Sequence, residues 1–259
     1  MKQISSAANP RYKALRRLVQ SSQERRQTGL SVLDGVHLAA AYGERVGRPC
    51  SLAVSRSGLA KPEVRALLEK LAGTEVLVLG DSLFATLSSV ATPTGILAVV
   101  ATPHPRAMPT AIDACVMLED LQDPGNLGSI LRSCAAADVR HVLLSKGSVH
   151  AWSPRVLRAG MGAHFGLSIY EGADLVAAAR DFPGRLVATR AGAPGAVFDA
   201  DLRGSVGLMF GNEGAGLSAA LLAAAHAVVA IPMPGAAESL NVAAAAAVCL
   251  FERVRQLRQ

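Results

Sequence analysis

The sequence predicts an α/β protein in two parts, on three observations. Short apolar runs of strand length alternate with segments of helical period almost from end to end. Alternation of that kind argues for largely parallel sheet covered by helices. The chain has 259 residues, 51% of them hydrophobic, enough for one or two well-filled cores. Finally, Pro103, Pro105 and Pro109 crowd the stretch "ATPHPRAMPTAI", residues 101–112. Proline removes donors and stiffens extended chain, so this stretch is a candidate linker.

The elements follow in order. From Pro10 the chain reads as a helix with Tyr12, Leu15, Leu18 and Val19 on one face. "SVLDGVHLAAAY" reads as a strand, a turn at Gly35 and a helix. "SLAVS", "EVLVL" and "ILAVV" read as strands, with helical stretches such as Glu63 to Leu71 between them. Beyond the prolines, strands are expected at "ACVML", "VRHVLL", "GLSIY", "RLVATR", "SVGLMF" and "HAVVAI". Helices fall at Leu127 to Ala137, Ser153 to Met161, Leu175 to Asp181 and Leu240 to Arg255. The expected organisation is a first domain over 1–100, a linker over 101–112 and a second domain over 113–259.

Composition narrows the function classes. The formal net charge is +6. Residues 1–26 alone carry that excess: Lys2, Arg11, Lys13, Arg16, Arg17, Arg25 and Arg26 face only Glu24. A basic arm of this kind suggests a polyanionic partner, although a solvated helix face would show the same charge. The four cysteines are far apart and form no CxxC pair, which argues for a reducing compartment and against a thiolate zinc site. The six histidines are scattered, so no metal is expected. "MKQISSAANPRYK" has no apolar core of a secretory signal, and runs such as Val242 to Phe251 are too short to span a bilayer. A cytoplasmic protein without a membrane partner is expected.

In an open parallel sheet, ligands bind beyond the C-terminal ends of the strands. Three segments there are unusual. "LEDLQDPGNLGSILRSC" turns through Pro124 and Gly125 into a helix at Asn126, with Arg132 six residues on. "LMFGNEGAGLS" bares backbone at Gly211, Gly214 and Gly216 beside Glu213. "IPMPGAAESLNVAAAAAVCL" sets Ser239 and Asn241 at the mouth of an apolar helix. Singly, Asn126 or Ser239 could be a plain helix cap and the glycines a plain turn. Together they offer a Glu, an Arg, two Asn and a Ser beside exposed backbone, as a cleft for a polar ligand requires. No GxGxxG, Walker or GxSxG pattern is present.

These three segments resemble, in order, the three motifs of the SpoU/TrmH family of RNA 2′-O-ribose methyltransferases, in the SPOUT superfamily. "SPRVLRAGMGAHFGL", "ISSAANPRYKALRRL", "VLDGVHLAAAY" and "TPTGILAVV" extend the likeness over nearly the whole chain. Departures fall at Asp34-Gly35 followed by His37, and at Gly160. The resemblance implies a trefoil-knotted C-terminal domain, a smaller ribosomal-protein-like α/β domain that binds RNA, and a homodimer. It implies S-adenosylmethionine as methyl donor, held at Thr189, Gly211, Ile231, Met233 and Leu240, largely through backbone. It casts Asn126, Arg132, Glu213, Ser239 and Asn241 as the catalytic group, and makes Arg11, Lys13, Arg16 and Arg17 the candidate RNA contacts. The two-domain layout resembles rRNA-directed members more than tRNA-directed ones. The alternatives are a tRNA 2′-O-methyltransferase, a small-molecule methyltransferase, and a catalytically silent RNA-binding protein. The last would lack one of Asn126, Arg132, Glu213 or Asn241, and the small-molecule enzyme would not need the basic arm.

Overall fold

A computed structural model of the chain describes every residue except 89, 91, 106, 107 and 109–111. Five of the twelve residues read as a linker, 101–112, lie outside the described residues. Among the described residues the chain divides into two compact units, Met1–Pro103 with Trp152–Phe165, and His104–Ala151 with Gly166–Gln259.

The first unit runs β1 (Lys2–Ile4), α1 (Pro10–Gln20), α2 (Ser22–Thr28), β2 (Leu30–Asp34), α3 (Val36–Arg45), β3 (Ser51–Ser55), α4 (Arg56–Leu59), α5 (Pro62–Lys70), β4 (Glu75–Leu79), α6 (Asp81–Ala85) and β5 (Ile96–Ala101). The strand order is β1-β4-β3-β5-β2. This sheet is mixed, not largely parallel: β5 is antiparallel to both β2 and β3. β4 runs parallel to β3 and β5 antiparallel to it, so after β4 the chain re-enters the sheet from the end it left.

The basic N-terminal segment is built into this unit. Tyr12, Leu15 and Leu18 of α1 are buried against Val32, Ala53, Leu77, Leu97 and Phe84. Asn9 caps α1, with Pro10 at its start. The Tyr12 hydroxyl meets Thr86 Oγ1 at 2.5 Å. Arg25 is buried and donates to the carbonyls of Leu18 (2.6 Å) and Val19 (3.1 Å), closing the end of α1. The segment Trp152–Phe165 supplies α8 (Pro154–Gly160), which packs on β2 and buries Trp152, Val156 and Leu157. Ser153 caps it, and Met161 ends it in the left-handed region at φ 51°.

The second unit runs β6 (Ala114–Leu118), α7 (Pro124–Ala136), β7 (His141–Ser145), β8 (Ser168–Ala173), α9 (Leu175–Asp181), β9 (Arg185–Thr189), β10 (Gly195–Ala196), β11 (Val206–Phe210), α10 (Ala219–Ala224), β12 (Ala227–Ala230) and α11 (Val242–Leu257). The order is β10-β12-β9-β11-β6-β7-β8, and every pairing is parallel. β6 and β11 are buried at every residue, as central strands covered on both faces must be. Because β12, β9, β11 and β6 are neighbours and parallel, their C-terminal ends emerge along one edge, and the loops that leave them are neighbours too.

Two helix starts differ from the sequence reading. α7 begins at Pro124, and its cap is Asp123, whose Oδ1 accepts from the Asn126 N–H at 2.7 Å. Asn126 is therefore inside the first turn and leaves its side chain free for other partners. α11 begins at Val242, and its cap is Asn241, not Ser239. The short strands β1 and β10 and the short helices α2, α4, α6 and α10 carry too few residues for a readable period.

Candidate active site

Three loops at that edge, those after β9, β11 and β12, enclose an open cleft of about 1030 Å³. Thr189, Gly211, Glu213, Ile231, Met233, Ser239, Leu240 and Asn241 all line it.

Each loop is shaped by its own sequence. After β11 the chain folds back on itself: Asn212 and Gly216 exchange two backbone hydrogen bonds, 3.1 and 2.9 Å. Gly211 makes the fold possible, since a Cβ there would lie 2.1 Å from the Gly216 carbonyl carbon. The Asn212 side chain completes the turn, accepting from the N–H groups of Gly214 (2.9 Å) and Ala215 (3.0 Å). Its Nδ2 donates to the Asp120 carbonyl at 2.8 Å, which ties this loop to the one after β6. Glu213 is thereby presented on a fixed turn. At the end of β9, Thr189 spends its hydroxyl on the Met209 carbonyl at 3.0 Å, so its backbone is what it offers the cleft.

The three motif segments meet in one chain of side chains. Asn241 Oδ1 accepts from the N–H groups of Ala243 (2.9 Å) and Ala244 (3.4 Å), capping α11. That fixes its amide, and Nδ2 donates to Asn126 Oδ1 at 2.9 Å. Asn126 Nδ2 in turn donates to Glu213 Oε1 at 3.0 Å. The direction of each link follows from the cap, because an amide that accepts at its oxygen must donate from its nitrogen. Burial pushes the Glu213 carboxyl up, but the bond from Asn126 and those from the backbone around Gln122 and Asp123 outweigh it and leave it below its usual value. Glu213 is thus a held carboxylate at neutral pH.

Arg132 is placed differently. It sits about 9 Å further along α7 than Asn126, is exposed, and does not line the cleft. Its side chain has no hydrogen bond or ion pair among the described residues. Ser239 and Leu240 lie on the rim, with Leu240 40% exposed. Of the candidate RNA contacts, Arg11 pairs with Glu75 at 2.6 Å and Arg17 with Glu24 at 3.3 Å. Lys13 and Arg16 are exposed and have no ion pair among the described residues.

Sequence reasoning gave no role to Asp123, Gln122 or Asn212. Asp-Pro at a helix start is itself an N-cap signal. Asn two residues before Gly214 and four before Gly216 marks a turn that its own side chain closes. Nothing in the sequence pointed to Gln122, whose backbone N–H approaches Glu213 Oε2 at 3.5 Å. Among the described residues no group of three or more His, Cys, Asp or Glu side chains could hold a metal ion. No helix of the described residues is long and apolar enough to cross a membrane.

Comparisons with known proteins bear on this geometry. The model of the SpoU rRNA methylase family matches residues 113–251. An uncharacterised tRNA/rRNA methyltransferase of Synechocystis is 35% identical over 98% of this chain and 93% of its own length. The 23S rRNA (guanosine(2553)-2′-O)-methyltransferase RlmP of Bacillus subtilis is 32% identical over 97% of this chain and 98% of its own. The crystal structure of an AdoMet-bound rRNA methyltransferase from Sinorhizobium meliloti superposes with a TM-score of 0.85 at 28% identity, covering 99% of this chain and 98% of that one.

Proposed function

Because the chain belongs to the SpoU rRNA methylase family, we propose that the cleft directs methyl transfer from S-adenosylmethionine to a ribose 2′-hydroxyl in RNA, with rRNA as the substrate. The observation that carries the reading is the Asn241–Asn126–Glu213 chain, which joins all three motif segments at one cleft. The rRNA preference rests on RlmP and the S. meliloti enzyme, each matched over nearly its full length.

The residues present fit the donor. Ile231, Met233 and Leu240 give apolar surface for a planar base, and the strand ends give backbone polar groups for its edge. When bound, S-adenosylmethionine supplies a sulfonium methyl group open to in-line attack. Thr189, Gly211, Ile231, Met233 and Leu240 would hold it.

The ribose hydroxyl is a weak nucleophile: as its oxygen bonds the methyl carbon, the sulfur–methyl bond would break to leave a neutral thioether, and the hydroxyl proton would pass to water. Alignment alone supplies several kcal/mol, about 7–11 in the best intramolecular cases. Asn126, Glu213, Ser239 and Asn241 would supply it by holding the ribose. Arg132 is exposed and uncommitted, so it would meet the RNA, stabilising negative charge on the 2′-oxygen and orienting the adjacent phosphate. A guanidinium stays protonated, so that role suits it better than general base. Residues 1–100 would bind the RNA, through Lys13 and Arg16 in the first place, and residues 113–259 would carry the chemistry.

The homodimer is supported by apolar side chains left on α11, where Phe251 is 49% exposed and Leu257 is 51% exposed. A trefoil knot and a cytoplasmic location go with the family reading.

Ribose-methylation mapping of total RNA with and without the protein tests the activity. Loss of one 2′-O-methyl site on deletion is expected, and an unchanged map overturns it. Arg132→Ala should lose transfer by about 10²–10³-fold while keeping cofactor affinity. Arg132→Lys should also fail, since a point charge does not reproduce the planar fork. Sedimentation as a monomer at micromolar concentration would remove the dimer.

A further inference from the structure

Asp120 lies between β6 and α7, is not itself part of the cleft lining, and has a backbone that few residues accept. Its φ is +52°, in the left-handed region. Side chains other than glycine rarely adopt it, and Asp tolerates it better than most.

Four hydrogen bonds with three side chains hold it there. Ser145 Oγ accepts from the Asp120 N–H at 2.8 Å and donates back to Asp120 Oδ1 at 2.5 Å, a two-way clasp with the end of β7. The Asp120 carbonyl accepts from Asn212 Nδ2 at 2.8 Å and from Gln122 Nε2 at 3.1 Å. Gln122 Nε2 also donates to the Gly147 carbonyl at 2.7 Å. The loops after β6, β7 and β11 are thus tied at one residue. Beyond it, the Gln122 N–H approaches Glu213 at 3.5 Å, and Asn212 is Glu213's own neighbour.

Gly147 is cut to fit this clasp. A Cβ at that position would lie 2.2 Å from Asp120 Oδ1. Its backbone is not in the left-handed region, so alanine there is excluded by Asp120 and not by conformation.

We propose that Asp120 is a positioning residue for the methyl-transfer site: its left-handed turn, clasped by Ser145 and seated over Gly147, sets where the loops carrying Asn126 and Glu213 meet. The inference rests on the function proposed above. The carbonyl that organises Asn212 and Gln122 points where it does because of the turn, and the carboxylate clasp holds the turn. Misplacement of a reacting group by about 1 Å can cost 10²-fold in rate, so a residue outside the cleft can control turnover.

The test is a cycle of variants assayed on RNA beside the wild type. Asp120→Ala and Gly147→Ala should each lower kcat by about 10–10²-fold. KM for RNA and calorimetric affinity for S-adenosylmethionine should hold. Asp120→Asn keeps an acceptor for Ser145 and tolerates the turn, so it should recover most of kcat. Asp120→Gly keeps the turn and removes the side chain that Gly147→Ala would strike. In that background Gly147→Ala should therefore cost little more. Side-chain amide resonances of Asn126 and Asn212 should shift in Asp120→Ala and return in Asp120→Asn, and they report positioning whatever the turnover. Unmoved amide signals, or equal Gly147→Ala costs in both backgrounds, overturn the proposal. A wild type that methylates no RNA, with amides that respond as expected, overturns the function and leaves the positioning role standing.

Discussion

Around α1, several charged groups find partners within the first unit. Lys2 and Arg11 share Glu75, Arg17 meets Glu24, and Arg25 is buried on backbone carbonyls. Around the cleft the arrangement is reversed: neutral amides are chained to one carboxylate, each with its direction fixed, while two guanidinium groups, Arg190 in the lining and Arg132 further along α7, are left without a partner among the described residues. The first region is rich in charge and has much of it cancelled. The second holds its carboxylate Glu213 in a fixed direction. Site chemistry in this molecule follows commitment of hydrogen bonds, not density of charge.

The largest effect should come from breaking the chain at its middle. Asn126→Asp replaces the Nδ2 donor with an anion beside Glu213. Transfer should fall by about 10²–10³-fold, and Glu213 should then hold a proton at higher pH than in the wild type. The sign follows from the native state. Glu213 is held below the ordinary carboxyl range, so its contribution to stability is complete above that range and fades as pH falls through the lowered value. Carboxyl titration by NMR would read the upward move, and an unmoved Glu213 would show that the Asn126 bond does not hold the carboxylate.

Next comes Asn241, which carries two jobs. Asn241→Ala loses the cap and the Asn126 link, costing about 1 kcal/mol of stability. Asn241→Asp keeps the cap and loses only the link. Both should slow transfer by roughly tenfold, and only the alanine should melt lower. Equal melting of the two would mean the cap is idle.

The α1 region should give smaller effects, divided by pairing. Lys13→Ala with Arg16→Ala should weaken RNA binding and flatten its salt slope by up to about 1.5. Arg11→Ala with Arg17→Ala should flatten it less, because those charges are already partly neutralised. Salt titration of RNA binding decides it, and equal slopes would erase the difference between the regions. Deleting residues 1–26 is no substitute, since Tyr12, Leu15 and Leu18 would leave the core with the charges.

The smallest effect concerns Glu75, an exposed residue whose carboxyl the hydrogen bonds from Arg11 and Lys2 hold down to about 2. Glu75→Gln should lower the melting temperature slightly at neutral pH. The difference should vanish as pH falls from about 4.5 towards 2, where the wild-type carboxyl also loses its charge.

The two regions also differ in how far the sequence disclosed them. The strand-and-helix pattern of the second unit was readable because buried parallel strands are continuous apolar runs and its main helices are long. The motif residues were readable for their types and places at strand ends. Their directions were not: that Asn126 is free because Asp123 caps α7, or that Asn241 and not Ser239 caps α11, depends on which of two adjacent polar residues reaches a backbone N–H. The basic segment was over-read as an arm. Its charges are visible one by one in sequence, whereas Glu75, which cancels two of them, lies more than sixty residues away. The single reversed strand β5 was missed because a helix between strands does not declare the direction of return.

Finally, the chain makes its first unit in two instalments. Trp152–Phe165 belongs with Met1–Pro103, yet β6, α7 and β7 are threaded before it. During synthesis β2 therefore waits without α8, and Trp152, Val156 and Leu157 have not yet been made to cover it. A fragment ending at Pro103 would be an unfinished product, sticky along that face. The first unit is sealed only after the first strand pair of the second has been laid down, so the ribosome releases the two units as a nested pair and not as beads in series.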